Sequence, residues 1–103
     1  GHAQLSTPNV TVGISEGDDT NGLGYSTGHF YGSPNCPRSI RYRACPKSVK
    51  TVEDLMVKDQ EQGVTYHPLS FPFAHNCSTW ARSILESAGL LGGPGSDGIW
   101  IAP

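Results

Sequence analysis

Cys77 has the type and position for covalent chemistry. Residues 77–88 carry Trp80, Ala81, Ile84, Leu85 and Ala88 on one helical face, so the spacing predicts an amphipathic helix with Asn76 as N-cap and Gly89 as its stop. A sulfur in the first turn meets backbone N–H groups without intrahelical partners and the positive end of the helix dipole. Both favour thiolate over thiol. The same N–H groups could hold an oxyanion on the carbon that the sulfur attacks. Such a nucleophile needs a histidine as base. Cys77, Trp80, Ala81 and Ile84 share the face expected to pack on a sheet, so the base should come from a strand. His75 is too near along the chain, and His67 precedes Pro68 in an expected loop. His29 lies in a glycine-bounded strand, and His2 begins the first strand.

The elements that must position these groups are short. Residues 2–7 and 10–15 read as two strands joined at Pro8-Asn9, with Val10, Val12 and Ile14 at period two. Residues 16–22 form a polar loop, and residues 23–32 read as a further strand with glycine interruptions. Thr51 is the expected N-cap of a helix over 51–62, with Glu53 and Asp54 in its first turn, an apolar stripe of Val52, Leu55 and Met56, and Gly63 after its end. Residues 64–74 return to extended structure, and 99–102 read as a short apolar strand. The fold class expected is α+β, a small antiparallel sheet packed on the helix that begins with Cys77.

Composition removes several function classes. The 103 residues suit one domain, 36% are hydrophobic and 16% charged, and no apolar run is long enough to span a membrane. Seven Lys and Arg against nine acidic residues give a net charge of −2, which argues against nucleic acid as partner. The 13 Gly and 8 Pro follow no repeat. Arg38, Arg41, Arg43 and Lys47 form one local basic cluster, read as a solvated face or as an edge for an anionic partner.

The run HNCSTWARSILESAGL (75–90) resembles the Asn-Cys helix of circularly permuted papain-like proteins, which include permuted NlpC/P60 hydrolases, lecithin:retinol acyltransferase-like enzymes and bacterial toxin or effector domains. In that group a Gly-His strand comes first, a place that GHAQL (1–5) fills here. The resemblance covers most of the chain in order of elements and implies a single permuted papain-like catalytic domain over 1–103. It implies Cys77 as nucleophile, His2 as base and the Cys77 N–H as an oxyanion donor. If Gly1-His2 is a tag remnant, His29 becomes the candidate base. A two-residue turn at Pro8-Asn9 sets Ser15 opposite His2, although serine is unusual as the residue that orients the base.

Cys36 and Cys45, nine positions apart and each followed by Pro, can close a short loop as a disulfide worth roughly 2–3 kcal/mol. That pairing leaves Cys77 as the free thiol and suits an oxidising compartment. A zinc site would need a second ligand pair at short spacing, so neither metal nor cofactor is expected. Asp18-Asp19 reads as a solvated turn rather than a calcium loop. The activity expected is hydrolysis of an amide bond, in a peptidoglycan peptide or a protein, through a thioester on Cys77. Without an export signal in this chain, it reads as a secreted or delivered toxin or effector domain, acting in a periplasm or a target cell and met by a cognate immunity protein. The alternatives are a lipid acyl hydrolase or acyltransferase, a protein deamidase on the same fold, or a disulfide-bridged binding module without enzymatic activity.

Overall fold

The computed structural model describes residues 3–32, 44–70 and 73–90. Five short strands and two helices make an α+β fold: β1 (Gln4–Ser6), β2 (Thr11–Ser15), β3 (Ser26–Thr27), β4 (His29–Tyr31), α1 (Pro46–Gln62), β5 (Thr65–Tyr66) and α2 (Cys77–Ser87). One antiparallel sheet runs in the order β1-β2-β4, and β3 pairs with β5 in a separate antiparallel ladder.

The β1–β2 hairpin turns at Pro8-Asn9. Thr7 N–H donates to Val10 O at 2.8 Å, and Leu5 pairs with Val12. This is the register expected for a two-residue turn. Glu53 of α1 pins the turn, accepting from Thr7 Oγ1 at 2.7 Å and Asn9 Nδ2 at 3.3 Å.

One face of the three-stranded sheet forms the core. Ala3, Leu5, Val12 and Ile14 are buried there against Cys77, Trp80, Ala81, Ile84 and Leu85 of α2 and Val52 and Met56 of α1. Removing each such large aliphatic side chain from water contributes roughly 1.5–3 kcal/mol. Trp80 is completely buried, meets Phe30 edge-on at 5.5 Å and donates its indole N–H to Asp59 Oδ2 at 2.9 Å, tying α2 to α1. It is a core residue rather than a surface platform.

Two expectations are corrected. The helix expected over 51–62 starts earlier, at Pro46, with Cys45 in the N-cap place. Proline is pre-set for the first helical position, where its missing N–H costs nothing. Thr51 caps nothing: it is helical, and its hydroxyl donates back to Lys47 O at 3.0 Å. The strand expected over 23–32 is two strands in different sheets, β3 and β4, broken at Gly28. A Cβ at Gly28 would lie 2.3 Å from Ile14 Cδ1, so the chain can cross the sheet there only as glycine. The expected strand over 99–102 lies outside the described residues, as do Arg38, Arg41 and Arg43 of the basic cluster.

Candidate functional site

The expected Asn-Cys helix is present from Cys77, and Cys77 occupies its first helical position. Asn76 is extended (φ −95°, ψ −176°), and its Oδ1 accepts the Thr79 N–H at 2.9 Å. Thr79 Oγ1 accepts the Asn76 N–H in return, also at 2.9 Å. This reciprocal box satisfies two backbone donors at the helix start. Cys77 is 8% exposed and belongs to the buried cluster with Ala3 and Leu5.

The segment leading into α2 is braced at several points. Ser70 Oγ donates to Thr79 Oγ1 at 3.0 Å, and Asn76 Nδ2 donates to Pro68 O at 3.3 Å. His75 N–H donates to Thr65 O at 2.9 Å, and His67 N–H donates to His75 O at 3.0 Å, so β5 is bridged to the residue two before Cys77. Ser70 (φ 52°) and Phe73 (φ 67°) are held in left-handed backbone, which costs about 1–3 kcal/mol each for residues with a side chain. Phe73 is fully exposed and Leu69 is 69% exposed, so apolar groups stand in water beside the cap.

Tyr66 on β5 is a member of this site that nothing in the sequence singles out. Burial, and after it the negative charge of Cys77, raise its phenol above the ordinary tyrosine value, with Glu16 and Tyr31 adding less.

The rings of the described histidines take different partners. His75 Nδ1 lies 3.2 Å from Thr79 Oγ1. His67 is buried, with Nδ1 accepting the Leu69 N–H and Nε2 facing Leu23 O, both at 3.0 Å. His29 is paired with Ser15 and exposed on β4. Its neighbour Phe30 packs on Trp80, so strand alternation turns His29 to the opposite face from α2. There it lines an open groove of ≈470 Å³ with Glu16, Asp18, Asp19 and Thr27. Asp19 is tied down in that groove: its carboxylate takes the Thr27 N–H and hydroxyl, both at 2.7 Å, and these bonds hold it below the usual carboxylate value. His2 lies outside the described residues.

Cys45 stands directly ahead of α1. Its thiol is exposed and carries no bridge to a described cysteine; its expected partner, Cys36, is outside the described residues. It points its Sγ at Ser48 Oγ, 3.2 Å away, and the Ser48 hydroxyl and N–H lower its pKa. The sequence did hold a signal, since proline directly after Cys45 marks a helix start.

Among the described residues, no three or more His, Cys, Asp or Glu side chains gather as a metal site, and no helix is long and apolar enough to cross a membrane. No known protein family, no curated protein and no solved structure matches the chain.

Proposed function

We propose that the chain is a cysteine hydrolase that cleaves an amide bond through a thioester on Cys77. The observation that carries the reading is the position of Cys77 at the first turn of α2, directly behind a reciprocally closed Asn76–Thr79 cap. His2 is the proposed base. It directly precedes Ala3, which shares the buried cluster with Cys77. In this mechanism the His2 imidazole takes the thiol proton as Sγ adds to the carbonyl carbon. The oxyanion accepts the Cys77 N–H, and the amine leaves with the proton that His2 returns. Water, deprotonated by His2, then hydrolyses the thioester and frees the thiol. The proposed substrate is a peptidoglycan peptide or a protein amide, and the proposed setting is a secreted or delivered bacterial toxin or effector domain with a cognate immunity protein.

The experiment is incubation of the chain with peptidoglycan sacculi and with a mixed peptide library, followed by mass spectrometry of released fragments and of Cys77. Released peptides, together with an acyl adduct on Cys77 that is missing in Cys77→Ala, support the reading. Neither product from either substrate overturns it.

A second reading is a binding module without catalysis. It is favoured by the 8% exposure of Cys77 and by the engagement of His67 and His75 elsewhere. It requires the Cys77 thiol to be unreactive in the folded protein.

A further inference from the structure

We propose that His67 is a proton-operated latch between the turn at residues 21–25 and the turn at residues 67–70, closed when its ring is neutral and opened by acid. This inference does not rest on the hydrolase reading.

His67 is 5% exposed. Its two ring nitrogens serve two different segments. Nδ1 accepts the Leu69 N–H at 3.0 Å, and an acceptor nitrogen carries no proton. The ring proton therefore sits on Nε2, which donates to Leu23 O at 3.0 Å. Both segments are built to meet it. Asn21 folds its own turn, with Oδ1 accepting from Leu23 N–H at 2.9 Å and Tyr25 N–H at 3.0 Å, which leaves the Leu23 carbonyl for the imidazole. Gly24 (φ 89°) lies so close that a Cβ there would be 2.8 Å from Nε2. On the other side, Ser70 N–H donates to His67 O at 3.0 Å and closes the second turn.

A second ring proton must go to Nδ1, where it meets the Leu69 N–H. Two donors cannot share that line, so one must leave. The ring is confined by the Tyr25 edge, with centroids 4.8 Å apart, and by Gly24 beneath it. Leu69 is the side that yields: it is 69% exposed, and the next residue, Ser70, is in left-handed backbone that relaxes on release. Among the described residues, the titratable groups on the segments meeting His67 include Tyr25, Tyr66 beside it on β5, and His75, whose carbonyl takes the His67 N–H. Pro68 O and Ser70 Oγ of the released turn brace the cap at Asn76 and Thr79, so the latch couples acid to the start of α2.

The test is nitrogen-15 NMR of the whole chain, following the His67 ring and the Leu69 amide from about pH 8 to about pH 5, the span in which histidines titrate. The Gly63 amide, which donates to Asp59 O inside α1, is the reference for exchange. At neutral pH the ring should show the Nε2–H tautomer and a protected Leu69 amide. As the ring gains its proton, Leu69 should lose protection by roughly tenfold relative to Gly63, about the weight of one hydrogen bond. His67→Asn offers an Oδ1 acceptor that does not titrate, and it should remove the pH dependence at Leu69. If that variant does not fold, the wild-type titration decides alone. An Nδ1–H tautomer at neutral pH, or Leu69 protection unchanged down to acid unfolding, overturns the proposal.

Discussion

Thr79→Val tests how the start of α2 is held. Valine keeps the shape and removes the hydroxyl. That hydroxyl has two acceptor positions and one proton. The acceptors are filled by Asn76 N–H at 2.9 Å and Ser70 Oγ at 3.0 Å. The proton can go to His75 Nδ1 at 3.2 Å or to Asn76 O at 3.3 Å. Losing half of a capping box costs about 1 kcal/mol. The part-buried Ser70 hydroxyl keeps Ala74 O at 3.4 Å as a second acceptor, so losing its bond to Thr79 adds only about 0.5 kcal/mol. The expected loss is about 1.5 kcal/mol, or about 6–12 °C in Tm for a domain of this size. Urea unfolding followed by circular dichroism measures it, and Thr79→Ser should restore most of the stability. A valine variant within about 0.5 kcal/mol of wild type, the ordinary scatter of surface substitutions, would refute the reasoning.

Other outcomes follow from single contacts. Alkylation of Cys45 should have its midpoint below that of a free cysteine peptide, because the Ser48 hydroxyl and N–H favour its thiolate, and Ser48→Ala should move the midpoint up. The raised Tyr66 value means that the folded chain holds the phenolic proton more tightly than the unfolded chain does. The stability from this group is therefore fully present below the unfolded tyrosine value and is lost as pH rises from there through the higher folded value. Ultraviolet titration should show Cys77→Ser bringing Tyr66 down toward the ordinary value; no movement would separate the two groups. Gly24→Ala should destabilise by about 1–3 kcal/mol, since alanine at φ 89° is strained and its Cβ meets His67. Gly22→Ala, with open space at its Cβ, should change little in the same thermal melts. Asp59→Ala strands the buried Trp80 indole N–H and should cost about 1–3 kcal/mol, read together with a shift in tryptophan fluorescence.

Local grammar explains which elements were legible in the sequence. The second helix carries its own cap, period and glycine stop, so its start at Cys77 could be read before any tertiary contact. The first hairpin was legible because a two-residue turn at Pro8-Asn9 leaves one register. The start of α1 was misread because Thr51 and Pro46 are both helix-start signals, and the helix begins at the earlier of the two, where proline fits the first position. The division of 23–32 has no local signature, since β3 finds its partner in β5, far along the chain. The surroundings of Cys77 were hidden for the same reason. Tyr66, His67 and Ser70 read as extended or loop residues, and only their cross-connections to Leu23, Thr79 and His75 bring them to one end of α2.

The central claim is a reactive Cys77 served by His2. The most direct measurement is the rate of iodoacetamide labelling of Cys77 at neutral pH, resolved by peptide mass spectrometry, in a Cys45→Ser background with and without His2→Ala or His29→Ala. The account predicts rapid labelling that falls at least about tenfold in His2→Ala, in keeping with the loss of a positioned base, and no change in His29→Ala. Slow labelling at the same rate in all of these proteins would contradict it and leave the binding module as the better description.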